Sequence, residues 1–220
     1  MVLVNTSTLS TVITYLEQHE KKHRFPVWVI RHQKEVFQLA YYMGVALGFS
    51  NTQLTELSVA ARFHDIGKST IDPCLINYRG ALSEAQRYEV FEHVRQSHQI
   101  LKKKGVQSTV ILAAVFSHHE NFDGSGYPDR LKHNEIPLEA QILRIVDSFS
   151  AMLGSRPYNN PHDASFEQAI SQIERGSGVL YNPEMVKTFL TIVRQSGSPG
   201  IIGEVFGNTS GLHLKNSANN

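Results

Sequence analysis

A single cysteine, Cys74, leaves no partner for a disulfide within the chain and no thiolate cluster to hold zinc. Charge of one sign is equally scarce. With 21 basic and 20 acidic side chains the formal net charge is +1, which is no footprint of a protein held on nucleic acid by its phosphates. No run approaches the roughly 18 uninterrupted apolar residues of a membrane-spanning helix, and the N-terminus lacks a basic segment followed by an apolar one. Period-two segments long enough to demand a sheet are missing, and no internal repeat is visible. These absences point to a cytoplasmic helical protein with neither nucleic acid nor a membrane as partner. At 220 residues, 41% hydrophobic and 19% charged, the chain can bury one substantial core. Histidine is the residue in excess, with 11 copies.

Apolar spacing predicts helices over 9–22, 27–47 and 51–66, the last opened by a capping box of Ser50 with Gln53. Ser83 with Gln86 opens a further helix running to Lys104 and stopped by Gly105. Helices over 106–117, 137–154, 163–175 and 184–195 follow, the last introduced by Asn182-Pro183. The expected architecture is an all-α bundle, with a packing helix in 1–25, the main domain over 26–195 and a Gly-, Ser- and Asn-rich tail over 196–220. Lys102, Lys103 and Lys104 sit where a helix C-terminus favours positive charge and receive no other role.

The chemistry centres on His64-Asp65-Ile66-Gly67-Lys68. An imidazole beside a carboxylate offers a nitrogen ligand and an oxygen pair able to bridge two cations, and Asp65 is the natural bridge. If the helix continues through Lys68, its ammonium projects from the His64 face towards a bound phosphate. A lone His-Asp pair at a helix end more often bonds only backbone or solvent. What overturns that reading is company: His32, His64, Asp65, His93, His118, His119 and Asp147 all fall in or at the ends of helices that line one bundle. Seven donors can hold two divalent cations. His19, His23, His98, His133, His162 and His213 are left as ordinary core or surface residues.

The run His118-His119-Glu120-Asn121-Phe122-Asp123-Gly124-Ser125-Gly126-Tyr127-Pro128 resembles the HHExxDGxGYP signature of the HD-GYP family, and His64 to Lys68 resembles its HDIGK element. Glu135-Ile136-Pro137-Leu138, Arg144 to Asp147 and Arg156-Pro157-Tyr158 are similar to the family as well, over about residues 28–190. The resemblance implies hydrolysis of cyclic di-GMP or a related cyclic dinucleotide in bacterial signalling. It implies that His32, His64 and Asp147 help hold one metal and His93, His118 and His119 the other, with Asp65 bridging. Lys68 and Arg156 would face the substrate phosphate. The loop of Asp123, Gly124, Gly126, Tyr127 and Pro128 would shape the pocket, with Tyr127 against the substrate, and offer a surface to a signalling-protein partner. Two divalent transition-metal ions per chain are expected, iron by resemblance, with manganese equally suited to mixed imidazole and carboxylate donors.

Three positions depart from the pattern. Trp28 stands where some members carry a glutamate for a third metal, which favours two ions; Asn159 replaces a lysine near the phosphate; and Ser97 replaces a glycine, a change that packing should absorb. The rival readings are a cyclic-dinucleotide receptor or partner-docking module without catalysis, an HD hydrolase acting on another nucleotide and, more remotely, a di-iron oxygenase. No sensor or receiver domain is recognisable in the chain.

Overall fold

In a computed structural model the described residues are 6–23, 25–78, 80–153, 165–195 and 205, and their regular structure is helical throughout, with one isolated bridge between Ser177 and Tyr181. Helices α1 (Thr6–Lys22), α2 (Val27–Ala46) and α3 (Asn51–Phe63) lead to a 3-10 turn over Ile66–Thr70 and a short α4 (Pro73–Ile76). Then come α5 (Glu84–Phe91), α6 (His93–Lys103), α7 (Thr109–Ser117), α8 (Leu138–Leu153), α9 (Phe166–Arg175) and α10 (Pro183–Gln195). The α2 helix packs on α3 and α8, α7 lies against α3, α6 and α8, and α9 and α10 close on α8. Leu39, Met43, Leu57, Phe63, Ile142, Leu143 and Phe149 fill the centre at 0–1% exposure. Burying each such side chain contributes about 1.5–3 kcal/mol, which offsets the cost of the polar cluster set among them.

The capping boxes at Ser50 and Ser83 form as expected, and Ser165 with Gln168 makes another. Several boundaries differ from the sequence reading. The helix expected to run unbroken from Ser83 to Lys104 is two helices, interrupted at Glu92. The helix expected from Val106 begins at Thr109, because Ser108 caps it by accepting from Ile111 N–H at 3.2 Å. Gly105 takes φ 93°, and Val106 N–H closes the preceding helix on Leu101 O at 3.1 Å. The α9 helix starts at Phe166, and residues 154–164 lie outside the described chain, as does the expected tail over 196–220 apart from residue 205.

The α3 helix also stops short of Lys68. It ends at Phe63, and the chain tightens into the 3-10 turn, where Gly67 presses on α6. A Cβ on Gly67 would stand 2.2 Å from His93 O and 2.5 Å from Ser97 N, so glycine is required there by close approach. Gly67 N–H donates to Ser97 Oγ at 2.8 Å. Ser97 therefore does more than pack: its hydroxyl fastens the turn to α6. On the far side, α1 braces the same region through the Arg62 guanidinium, which grips both Glu20 oxygens at 2.7 and 2.8 Å and Gln33 Oε1 at 2.9 Å. His19 Nε2 meets Ser69 Oγ at 2.9 Å.

Candidate metal centre

Five segments deliver the expected donors to one place. His32 comes from the middle of α2, His64 and Asp65 from the turn after α3, His93 from the start of α6, His118 and His119 from the end of α7, and Asp147 from α8. Three overlapping triads have donor atoms within 4.8 Å of one another: His93, His118 and His119; His32, His64 and Asp147; and His64, Asp65 and His118. Asp65 spans the middle, with Oδ2 3.4 Å from His64 Nε2 and Oδ1 3.3 Å from His93 Nε2. Except for half-buried His119, all seven are buried.

The imidazoles are aimed from behind. His64, His93 and His118 each present Nδ1 to the carbonyl three residues earlier, Ala61 O at 2.8 Å, Val90 O at 2.7 Å and Val115 O at 2.6 Å. A carbonyl can only accept, so Nδ1 carries the proton and Nε2 keeps its lone pair for the cluster. His32 is aimed differently. Its Nδ1 meets Ser150 Oγ at 2.8 Å, Ser150 O–H donates to Glu35 Oε2 at 2.8 Å, and Arg31 Nε holds Glu35 Oε1 at 2.9 Å.

Electrostatics favour the ligating state of five donors, His93, His118, His119, Asp65 and Asp147, and the protonated form of His64. Burial pushes His93 down to about 4 and carries His118 and His119 well below the ordinary histidine range, so these three stay neutral at pH 7. Burial works against the charge on Asp65, but Lys68 and then His64 outweigh it and hold its carboxyl well below the usual range. Asp147 is likewise penalised by burial and drawn down by His32, 2.9 Å away. Burial lowers His64 too, but the neighbouring Asp65 and Asp147 more than compensate and raise it.

Two buried atoms of the cluster lack a hydrogen-bond partner among the described residues, His64 Nε2 and Asp65 Oδ1. Leaving such groups bare costs about 1–3 kcal/mol each. A divalent cation set between them would satisfy both. The residues present therefore fit a metal site, with mixed nitrogen and oxygen donors suited to first-row transition ions.

Beside the cluster the signature loop is locked in shape. The Glu120 carboxylate, 1% exposed, accepts from Asp129 N–H at 2.7 Å, Arg130 N–H at 3.0 Å and Leu131 N–H at 3.1 Å. Asp123 and Phe122 N–H tie the loop to Val179 O and Leu180 O at 2.9 and 3.2 Å. Gly126 passes so near the ligand segment that a Cβ would meet Asn121 N at 2.2 Å and His119 O at 2.5 Å. Tyr127 lies over His119 with ring centres 4.9 Å apart, and burial raises its phenol far above the usual range, so it remains protonated. The loop, α5 and Arg144 border a cleft of about 630 Å³ that reaches His119.

The sequence-predicted residues mostly converge. The seven donors meet, and Tyr127 and the glycine loop border them. Lys68 reaches the cluster by pairing with Asp65 Oδ2 and not by continuing α3. Arg156 and Asn159 lie outside the described residues. Trp28 is half-buried, and its indole N–H donates to Asn77 Oδ1 at 3.0 Å. Glu35 and Ser150 escaped the sequence reading, and Arg144 entered it only within a family-like segment, with no role of its own. Only Arg144 carried a local signal, lying three residues before Asp147 on the same helix. Asn121 Oδ1 at 3.0 Å and Ser148 Oγ at 2.6 Å hold its guanidinium.

Comparison with known proteins places the chain in a family. The cyclic di-GMP phosphodiesterase of Thermotoga maritima is 36% identical over 166 residues, covering 75% of this chain and 45% of that protein. RpfG, a cyclic di-GMP phosphodiesterase response regulator of Xanthomonas campestris, is 33% identical over 147 residues, covering 66% of this chain and 38% of that protein. The chain thus spans less than half the length of these curated relatives. Among solved structures, a cyclic GMP-AMP-specific phosphodiesterase of Vibrio cholerae aligns with a TM-score of 0.59 at 18% identity, covering 79% of this chain and 45% of that one. Bd1817, a HDG"Y"P protein of Bdellovibrio bacteriovorus, aligns with a TM-score of 0.59 at 15% identity, covering 75% and 52%. At these identities the structural likeness is one of fold. No helix among the described residues is long and apolar enough to cross a membrane. A family model described as HD domain matches residues 16–185, and the chain belongs to that family, carrying the signature of its HD-GYP branch.

Proposed function

We propose that this domain is a metal-dependent phosphodiesterase that opens cyclic di-GMP to linear pGpG, with slower onward hydrolysis to GMP. One observation carries the reading: seven donors converge, with the Nε2 edges of His32, His64, His93 and His118 facing inward, two buried donor atoms lack partners, and an open cleft adjoins them. Relatives named cyclic di-GMP phosphodiesterases support the choice of substrate. His32, His64 and Asp147 would hold one ion, His93, His118 and His119 a second, and Asp65 would serve both. Two ions are preferred to three because Trp28 has no anionic oxygen to offer. Iron follows from the family resemblance, and manganese suits the same donors.

Bound divalent ions supply Lewis acidity that activates water and draws charge from the phosphodiester oxygens. The chain's own groups do the rest. Water adds to phosphorus and the P–O3′ bond breaks, leaving a 5′-phosphate and a 3′-hydroxyl. Lys68, held at Asp65, and Arg144, held by Asn121 and Ser148, offer positive charge to the non-bridging oxygens as it builds there. Tyr127 keeps its proton and closes one side of the site against water. Asn159, where the resemblance expects a lysine, weakens the hold on the cut product and favours release after one cleavage.

The test is a chromatographic time course with metal-loaded protein and cyclic di-GMP, run beside the mixed GMP–AMP cyclic dinucleotide. Linear pGpG preceding GMP is expected, with activity absent in Asp65→Ala. Binding without cleavage of either dinucleotide would give the case to a receptor, and GMP without a pGpG phase would refute single-cut release.

A further inference from the structure

The α5 helix, like the four-residue α4 before it, fully buries none of its side chains. Eight residues held only at one edge, with Tyr88 63% exposed, gain little from packing, and their composition calls for another explanation. The helix forms the outer wall of the cleft that runs from His119, with Glu84, Arg87, Tyr88 and Phe91 facing into it. A continuous aromatic path leads there from the donor cluster. His119 stacks on Tyr127 at 4.9 Å, Tyr127 on Phe91 at 3.9 Å with planes 17° apart, and Phe91 meets the edge of Tyr88 at 6.5 Å. The Arg87 guanidinium, one residue before Tyr88, has no ion pair among the described residues, nor does Glu84.

We propose that this outer end of the cleft is a guanine subsite, in which Tyr88 stacks on one base of the cyclic dinucleotide while Arg87 and Glu84 read its edge. The inference rests on the phosphodiesterase reading for the substrate class. A cyclic dinucleotide whose phosphodiester lies at the donor cluster must send its bases outward, and a cleft of about 630 Å³ is within the usual size of small-ligand sites. An exposed tyrosine offers a flat face to any base. The edge chemistry then selects. Arginine only donates, and guanine presents two acceptors, O6 and N7, where adenine pairs one acceptor with a donating amine. Glu84 lies three residues before Arg87, on the same face of the helix, and only accepts; guanine N1–H and its exocyclic amine supply the donors it needs. Guanine thus offers Arg87 two acceptors and Glu84 two donor groups, whereas adenine offers each only one, so guanine makes the fuller set of contacts.

The experiment compares wild type with Arg87→Ala, both metal-loaded, on cyclic di-GMP and cyclic di-AMP. Arg87 is exposed and touches no reacting atom, so folding, bound metal and kcat are expected to be unchanged. KM for cyclic di-GMP is expected to rise about five- to a hundredfold, the range of one bidentate base contact, while KM for cyclic di-AMP, with a single acceptor to lose, rises by less. Tyr88→Leu should raise both, because stacking ignores base identity. A KM for cyclic di-GMP within about twofold of wild type overturns the proposal, and so does equal weakening of both substrates by Arg87→Ala, which would mark a phosphate contact. Should the wild type cleave neither dinucleotide, the phosphodiesterase reading fails and equilibrium binding decides the subsite: weaker cyclic di-GMP binding by Arg87→Ala alone supports it, and equal binding, or none by wild type, overturns it.

Discussion

Replacing Ser150 by alanine tests whether the centre is held by what lies behind it. The Ser150 hydroxyl accepts from His32 Nδ1 at 2.8 Å and donates to Glu35 Oε2 at 2.8 Å, with Ser150 at 0%, Glu35 at 2% and His32 at 4% exposure. Water cannot replace a hydroxyl so enclosed. Losing one partner from a buried hydrogen bond costs about 1–3 kcal/mol, which for a domain of this size lowers Tm by roughly 3–10 °C. The larger consequence is local. Without its acceptor the His32 ring can turn away from Asp147, and loss of such a supporting contact typically weakens metal binding about 10- to 100-fold. The effect should fall on the ion proposed for His32, His64 and Asp147 and spare that proposed for His93, His118 and His119, whose anchors are elsewhere. Titration of metal-stripped protein with manganese, followed by calorimetry and native mass spectrometry, reads both sites. Expected is one ion of wild-type affinity and one weakened, with Glu35→Gln giving a smaller loss at the same site. Ser150→Ala binding both ions as tightly as wild type, or losing both equally, would refute the reasoning.

Asp65→Ala should remove both ions together, since it deletes the carboxylate proposed to serve both, whereas His32→Ala should weaken one; elemental analysis of the purified variants separates these outcomes. The metal-free protein should lose stability as pH falls from about 6.5 towards 4. Burial holds His93 at about 4 and pushes His118 and His119 down, so the unfolded chain binds protons that the folded one refuses, a larger effect than the opposite one of the raised His64. Denaturant midpoints measured with chelator at pH 7 and pH 5 check the sign, and a higher midpoint at pH 5 would contradict it. Gly126→Ala should displace the His119 segment, because its Cβ would lie 2.5 Å from His119 O, and should cost both stability and binding of the ion nearest His119. A variant with wild-type melting and metal content would show that the loop yields freely.

Much of the site was legible because its signals are local. His118 to Pro128 and His64 to Lys68 carry their pattern within a few residues, and the boxes at Ser50 and Ser83 need only a partner three positions on. What escaped depends on approach from afar. The interruption at Glu92 has no glycine or proline to announce it. Nothing around residue 97 announces that a backbone N–H from the turn at Gly67 will arrive to use its hydroxyl. Glu35 and Ser150 stand 115 residues apart, and each alone resembles an ordinary helix residue until the fold brings them together behind His32.

Helix position explains why that arrangement is needed at only one histidine. The last carbonyls of a helix have no intrahelical donor, and those of the middle are all engaged. His64 and His118 cap α3 and α7, and His93 follows directly on the end of α5, so each finds a carbonyl three residues back that can accept from Nδ1. These anchors are main-chain atoms and persist whatever side chain stands at 61, 90 or 115. His32 sits in the interior of α2, where the carbonyl one turn back serves the helix itself. Its ring must be held by side chains: Ser150 from α8, backed by Glu35 on its own helix and by Arg31, whose side chain remains 45% exposed. The position that brings His32 to Asp147 therefore also makes it the histidine whose aim depends on residue identity outside the donor set, and the place where substitution should tune one of the two proposed ions without disturbing the other.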